Sequence, residues 1–407
     1  MNQPSLLRLQ QSAPEEFPAL LSTAAPGQPA EHLLFSAVDA PVICADAAEL
    51  SAALERLQWR AQPNNQLHPE PGDEGWLVYL SYEAAAAFVP AGRLQMLPTA
   101  PLPVAVLQRV RLAQRRREVV PDPYVSEDVV PTQHWIEEDP QQFLSGFDRI
   151  QSYLRAGDVY QVNLSRRWNT TTSMAGERIY QKLLSANAAP FAARAIFPDF
   201  EVISSSPERL FEARGLRIRT QPIAGTRPRG ATPAEDARFR SELHAHPKER
   251  AEHIMLVDLE RNDLGRVCQA GSVQVERLLA VEPYASVQHL VSDVSGALRP
   301  GTSLADILQA VFPGGTITGC PKIRCMQILT ELEATPRHAY TGSLGYCMDK
   351  GAVDFNILIR TLLKTPQRLH LSAGGGIVVS SQAQAELEET RAKARGVIAA
   401  LARSGAP

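Results

Sequence analysis

The chain has 407 residues, of which 44% are hydrophobic and 21% charged, and its formal net charge is −3. That length and composition describe a globular protein with a sizeable core, one large α/β fold or two domains. The small net charge provides no global field to draw the chain to nucleic acid or anionic lipid.

No stretch approaches eighteen consecutive apolar residues, and the opening MNQPSLLRLQQSAPEEF lacks a basic segment followed by an apolar one. The sequence therefore predicts a cytoplasmic protein with no membrane span and no secretory leader. Five cysteines (44, 268, 320, 325 and 347) form no C-x-x-C pair, which reads as reduced thiols. Cys320 and Cys325 have no nearby histidine partner, so metal binding there is disfavoured.

In chain order, WLVYLSY (76–82) predicts a buried strand and RVRLAQRRREVV (109–120) a strand with one basic side. A basic stripe of this kind can serve nucleic acid. Without interleaved aromatics, a solvated strand face is the better reading. PDPYVSEDVVPTQHWIEEDP (121–140) reads as a crossing linker, dividing an amino-terminal region (1–136), which contributes strands to a common fold, from a catalytic region (137–402).

Beyond the linker, Phe143, Phe147, Ile150 and Leu154 recur at helical spacing, and Gly157 is the expected stop. DVYQVNLSRRW (158–168) sets Tyr160, Val162 and Leu164 against Gln161, Asn163 and Ser165, predicting a strand with one polar face. EVISSSPERLFEA and LRIRTQPIAG predict two further strands, and a single long helix is expected from about Ala234 through MLVDL. Another helix follows from Pro321 through LTELE. A last strand pair then covers GAVDFNILIRTLL and RLHLSAGGGIVV, and a closing helix starts near Ala383. Strands and helices do not alternate regularly, so the class is α+β with large sheets.

Two helices carry paired carboxylates. Glu249 and Glu252 stand at i and i+3, and the following Ile254, Met255, Leu256 and Val257 point around the whole circumference, which predicts a buried helix. Glu386 and Glu389 repeat the spacing, with Lys393 one turn on, beside the apolar stripe Leu387, Ala394, Ile398 and Leu401. The second set also reads as a solvent-facing Glu–Lys ladder. Facing each other, the two sets would form an oxygen site suited to Mg²⁺, completed by water and a negative ligand.

Anion binders lie elsewhere in the chain. The glycines of SAGGGIVV (Gly374, Gly375, Gly376) are expected to offer an N–H nest after a strand, and FPGGTITGCPKIR leads into a helix start. The SAGGGIVV run lacks the G-x-G-x-x-G spacing of a dinucleotide site, and Arg360 closes the apolar strand FNILIR, where it needs a partner.

Taken together, GDVYQVNLS, SSSPERL, PIAGTRPRG, KERAEHIMLVDLERNDLGRV, FPGGTITGCPKIR, YTGSLGY, ILIRT and SAGGGIVVSSQAQAELEET resemble, in that order, the chorismate-utilising enzymes. The resemblance covers about 141–397. It implies a single complex fold of two large packed β-sheets with outer helices, as in anthranilate synthase component I, around a site for Mg²⁺ and chorismate. Position by position, it implies Glu252 and Glu389 as Mg²⁺ ligands, with Glu249 and Glu386 supporting the shell. Gly225, Thr226, Thr316, Tyr340, Arg360, Gly374, Gly375, Gly376 and Lys393 fall on substrate-binding positions, and His289 on a further pocket position. Glu208 resembles the general acid that protonates the departing hydroxyl, which calls for a raised pKa.

Two positions bear on the attacking nucleophile. Relatives that add water carry a lysine base where this chain has Gln161, which the resemblance reads as disfavouring water. Aminodeoxychorismate synthases typically carry a lysine nucleophile where this chain has Ala224, whereas anthranilate synthases have alanine. DVYQVNLS and FPGGTITG resemble the aminodeoxychorismate branch, and LLFS (33–36) lacks the LLES of many tryptophan-regulated anthranilate synthases. The resemblance therefore implies an aminodeoxychorismate synthase component I, with anthranilate formation as the alternative and a catalytically inactive chorismate-binding subunit as the second. It also implies a separate glutamine amidotransferase partner supplying ammonia, because no glutaminase segment is recognisable in this sequence.

Overall fold

The computed structural model describes residues 5–23, 29–118, 129–131, 134–283 and 287–402. The helices are α1 (Leu6–Ser12), α2 (Ala47–Arg56), α3 (Pro140–Ala156), α4 (Gly176–Ala186), α5 (Pro233–Ala245), α6 (Pro247–Gly265), α7 (Leu304–Val311), α8 (Lys322–Leu332) and α9 (Ala383–Ala402). The first strands are β1 (Ala19–Thr23), β2 (Ala30–Ala37), β3 (Val42–Cys44), β4 (Glu74–Leu80), β5 (Ala105–Glu118) and β6 (Ile136–Glu137). Next come β7 (Gln161–Thr171), β8 (Phe191–Ile196), β9 (Glu201–Ser206), β10 (Arg209–Arg214), β11 (Arg217–Thr220), β12 (Ile223–Pro228), β13 (Gln274–Pro283) and β14 (Val287–Ala297). The last are β15 (Gly319–Cys320), β16 (Ser343–Met348), β17 (Val353–Asn356), β18 (Thr361–Lys364) and β19 (Arg368–Ile377).

Antiparallel pairing produces two series. One runs β14–β11–β10–β17–β16–β4–β5, with β12 and β13 also on β14. The other runs β2–β1–β8–β9–β18–β19–β7, and β2 joins β5. Strands before residue 136 thus pair with later ones, β1 with β8 and β4 with β16. The two series pack face to face: Tyr79 of β4 and Tyr346 of β16 share a buried cluster with Ala193 of β8, Val202 of β9 and Leu363 of β18. Outside them, α4 and α9 cover one layer, while α2, α3, α7 and α8 share the other large apolar cluster. This is the expected α+β, two-sheet class.

Local chemistry explains where elements start and stop. In α3, Asp139 accepts from the Gln141 N–H, Pro140 occupies the first turn, and Phe143, Phe147, Ile150 and Leu154 are all buried. Gly157, at φ 80°, ends the helix as the sequence suggests. The long helix expected from Ala234 is in fact two helices, because His246 precedes Pro247 and adopts an extended conformation, φ −70° and ψ 113°. The proline then starts α6, capped by the His246 side chain on the Glu249 N–H.

The expectation of a fully buried helix also fails. Ile254 is 49% exposed, because α6 lies with one face against β12, β13 and β14 and leaves the other in solvent. Tyr160, expected inside β7, precedes it and is 67% exposed. The polar side of β7 is buried, since Gln161 and Asn163 lie against other elements and not against water. Half of the expected linker, 121–128 and 132–133, lies outside the described residues, and Ile136 and Glu137 form a short strand on β7.

One buried cation ties these layers together. The Arg337 guanidinium pairs with Glu333 at 2.7 Å, donates to the carbonyls of Asn163 and Ile317, and lies over the rings of Tyr82 and Tyr340. Arg337→Ala leaves Glu333 and two carbonyls without it, so a loss of about 3–5 kcal/mol is expected. Arg324→Ala, which breaks an exposed pair with Asp158, is expected to cost under about 1 kcal/mol. Urea unfolding midpoints of the two variants check this, and equal shifts would contradict it.

Candidate functional site

The expected catalytic and binding residues gather where strands are interrupted. Pro207 and Glu208 separate β9 from β10. Glu208 is 4% exposed, and the Thr316 hydroxyl donates to its Oε1 at 2.7 Å. Burial pushes the Glu208 carboxyl up to about 7; the Thr316 hydrogen bond and the positive charges of Arg360 and Lys393 pull in the other direction. Glu208 is thus an acid held near neutrality, as a proton donor requires. Thr316 itself sits in a short turn, Gly315–Ile317, where a Cβ on Gly315 would meet Leu259 Cδ2 at 2.2 Å.

A second group surrounds a bulge. Gly225 has φ 63°, and the β12–β14 register shifts between Ala224, opposite Leu290, and Thr226, opposite His289. A side chain on Gly225 would be both strained and crowded, because its Cβ would lie 2.8 Å from Glu249 Oε2. His289 Nδ1 is 3.0 Å from the Gly225 carbonyl oxygen and 3.1 Å from Thr226 Oγ1. Burial first, and then the charge of Arg360, push the imidazole down to about 4, so it is neutral at physiological pH. A carbonyl can only accept, so Nδ1 carries the proton and Nε2 accepts from Arg360 Nη2 at 3.4 Å.

Arg360 does not close a strand as expected. β17 ends at Asn356, and Arg360 lies in the connection to β18 at φ 50°, the left-handed region. Ala224 contributes only a methyl group from β12.

The glycine triplet is not a nest of free N–H groups after a strand. Gly374, Gly375 and Gly376 lie inside β19, in ladder register with Ser165, Leu164 and Asn163 of β7. Their role is space. A Cβ on Gly374 would meet Asn163 Oδ1 at 2.5 Å and the Tyr340 hydroxyl at 2.6 Å, and one on Gly376 would meet Gln161 Nε2 at 2.1 Å. One on Gly375 would lie 3.1 Å from Glu386 Oε2 and 3.9 Å from Glu389 Oε1. Lys393 Nζ reaches this floor too, 2.7 Å from Glu389 Oε1 and 3.0 Å from the Gly374 carbonyl oxygen.

The carboxylate pairs border the same site from two sides: Glu249 beside Gly225, with Glu252 on the next residues of α6, and Glu386 and Glu389 beside Gly375. Among the described residues, no three His, Cys, Asp or Glu side chains are gathered closely enough to hold a metal. Each side instead has a resident cation, with Arg227 3.4 Å from Glu249 and Lys393 paired to Glu389. The donor chemistry, four hard oxygen-bearing side chains on two helices, suits Mg²⁺.

Sequence reasoning missed Glu260, two turns after Glu252 on α6. It is 6% exposed, and burial with the neighbouring negative Asp263 pushes it up to about 8. A Cβ on Gly315 would lie 3.8 Å from Glu260 Oε1, and the charge of Glu208 adds to the upward push. The i, i+8 spacing from Glu252 was the available signal. Glu83, which accepts the N–H groups of Arg337 and His338, is likewise pushed up to about 7 by burial. Two solvent-open recesses, about 420 and 270 Å³, lie beside Arg167 and Arg337 and include none of Glu208, Arg360 or the paired carboxylates. The side-chain chemistry, not cavity size, marks the site.

The family model for chorismate binding enzymes matches residues 16–399. The chain belongs to that family. Within this family of chorismate binding enzymes, the chain is 48% identical over 265 residues to an anthranilate synthase component I-like protein of Synechocystis sp.. It is 46% identical over 259 residues to aminodeoxychorismate synthase component 1 of Bacillus subtilis. These matches cover 65% and 64% of this chain, and 55% of each relative, so they span about half the length of those proteins. The crystal structure of anthranilate synthase component I from Streptococcus pneumoniae superposes with a TM-score of 0.75 at 26% identity, covering 92% of both chains. The two-sheet architecture is therefore the one shared with that protein.

Stability should report the buried acids. Glu208, Glu260 and Glu83 all lie above the ordinary glutamate value of 4.5 when folded. The folded protein then holds protons that the unfolded chain releases. These groups are least destabilising below about pH 4.5, and stability falls as pH rises through about 7 to 8. In Glu208→Gln one of these titrations is gone, so its melting temperature is expected to fall less steeply than wild type between about pH 5 and pH 8. Parallel curves would mean that Glu208 titrates normally.

Proposed function

We propose that this protein is an aminating chorismate enzyme of the aminodeoxychorismate synthase component I kind. It would convert chorismate and ammonia to 4-amino-4-deoxychorismate, with the ammonia delivered by a separate glutaminase. The observation that carries this reading is Glu208, a buried acid pushed up to about 7, which accepts from the Thr316 hydroxyl and feels the positive charges of Arg360 and Lys393. Aminodeoxychorismate and anthranilate synthases both stand among its relatives, so the choice of branch rests on DVYQVNLS and FPGGTITG.

In this reading, Arg360 and Lys393 face the two carboxylates of the substrate, one cation each. Neutral His289 accepts from Arg360 and holds the guanidinium in place without competing for the anion. The glycines of β19 keep the floor low enough for a ring to lie against backbone. The C–N bond forms from the nitrogen lone pair, and the C–O bond to the ring hydroxyl breaks. The leaving oxygen takes the Glu208 proton and departs as water, and the new ammonium group returns one proton to the Glu208 carboxylate. Mg²⁺, held by Glu252 and Glu389 with Glu249 and Glu386 around it, would act as a Lewis acid on the substrate.

A second reading is anthranilate formation, favoured by Ala224. A methyl group cannot form a covalent amine adduct, so nitrogen must reach the ring as free ammonia. Mass spectrometry after incubation with chorismate, magnesium and ammonium chloride separates the two. The expected product is aminodeoxychorismate, which an added lyase converts to p-aminobenzoate; fluorescent anthranilate would establish the second reading instead. Absence of chorismate consumption would leave an inactive binding subunit.

Glu252→Ala and Glu389→Ala should each lower turnover at limiting magnesium by about 100-fold while far-UV circular dichroism stays unchanged. Near-normal rates in either would remove that residue from the metal shell.

A further inference from the structure

Arg167, on β7, is a half-buried cation without a counter-ion. Its Nη2 donates to the Pro336 carbonyl, but among the described residues no carboxylate comes within 4.0 Å of its guanidinium. Arg337 nearby has Glu333 at 2.7 Å. Burial pulls the Arg167 guanidinium below its ordinary value, against the more distant charges of Glu138, Glu333 and Glu83. A charge withdrawn from water normally carries a partner of opposite sign.

Donors, not acids, gather beside it. The recess of about 270 Å³ is lined by Arg167, His338, Tyr340, Leu363, His370 and Ser372 among others, and no Asp or Glu lines it. Ser372 stands directly opposite Arg167 in the β7–β19 ladder, and His370 is two residues along β19 on the same face. Among the described residues, neither the Ser372 hydroxyl nor the His370 ring has a hydrogen-bond partner. His338 holds φ 53°, its backbone N–H donates to Glu83, and its Nδ1 is buried with no partner. Orphaned buried N–H groups are rarer than orphaned acceptors, which puts the His338 proton on Nε2. Burial first, and then the charge of Arg167, push both imidazoles down to about 4. Each is therefore neutral at physiological pH and presents one N–H.

We propose that this recess binds a small monovalent anion of about chloride's size, held by Arg167 and by the Ser372, His370 and His338 donors. Side chains directly opposed on antiparallel strands start about 5 Å apart, and same-face neighbours along one strand about 6.7 Å apart. A single ion with donor contacts of about 3 Å spans those gaps. One unpaired guanidinium balances one negative charge, and the absence of lining carboxylates excludes a cation. Tyr340 and Leu363 wall the recess with apolar surface, which strengthens the contact by keeping water back.

The anion position is separate from the glycine floor but adjoins it. Arg167 and Ser372 form the next same-face pair after Ser165 and Gly374. Tyr340 lines the recess and brings its hydroxyl to within 2.6 Å of a Cβ placed on Gly374. A bound anion thus fixes the wall that Tyr340 presents to the candidate site, whichever amine product is formed.

The test is the melting temperature at fixed pH and ionic strength as sodium chloride replaces sodium gluconate, whose anion is too large for the recess. Wild type should melt a few degrees higher in chloride, with a saturating dependence. Arg167→Gln should remove that dependence, and Ser372→Ala should raise the chloride concentration for half-saturation severalfold. Arg217→Gln, at an exposed arginine paired with Glu276, should keep it. Each comparison is made within one variant, so a lower baseline stability does not obscure the result. Bromide soaked into crystals gives the position, with anomalous scattering expected beside Arg167, Ser372 and His370. A full chloride response in Arg167→Gln overturns the inference. So does a wild type that does not respond, or bromide found only elsewhere.

Discussion

The candidate site depends on the contact between β7 and β19. Their ladder runs from Arg368 opposite Thr171 to Ile377 opposite Val162, and three consecutive residues of it carry no side chain. Because Gly374, Gly375 and Gly376 are empty at Cβ, side chains from three separate segments converge on one surface. Gln161 and Asn163 come from β7, Tyr340 from the segment after α8, and Glu386 and Glu389 from α9. Alanine at any of these positions would place a methyl group on atoms 2.1–3.1 Å away. The ladder also keeps the backbone polar groups paired, so an open surface is obtained without orphaned N–H groups.

The remaining machinery sits at breaks in otherwise regular strands. Pro207 removes a ladder donor and ends β9 just before Glu208; Gly225 supplies a left-handed bulge in β12; Arg360 occupies another left-handed position between β17 and β18. Each break turns a side chain out of the alternating in–out pattern and toward a common centre. The surrounding sheet, and the buried Arg337 that bridges β7, the Gly315–Ile317 turn and Tyr340, fixes those turns rigidly.

Charge distribution follows from the same burial. Two cations, Arg360 and Lys393, act on an interior that has pushed its acid, Glu208, toward the protonated form and its imidazole, His289, toward the neutral form. Such a site is short of negative charge at its centre and rich in carboxylates at its rim, where Arg227 and Lys393 hold Glu249 and Glu389. That polarity suits an anionic ligand bridged to the rim by a cation.

The sequence by itself determined the class, most element positions and the identity of the titratable residues. The spacing of Phe143, Phe147, Ile150 and Leu154, the stop at Gly157 and the ordered motifs are all local signals. Local signals also give the i, i+3 glutamate pairs. Only the tertiary structure decided which side of each element is covered. Ile254 was expected inside and is outside, Gln161 and Asn163 were expected on a polar face and are buried, and the glycine triplet lies within a strand and not beyond one. A proline beside His246 split one helix into two, although the apolar pattern continues across it. Burial, and with it the pKa values of Glu208, Glu260 and His289, is set by residues more than a hundred positions away in several cases, as with Thr316 on Glu208. Periodicity cannot report such contacts, because they arise only when two sheets close on each other.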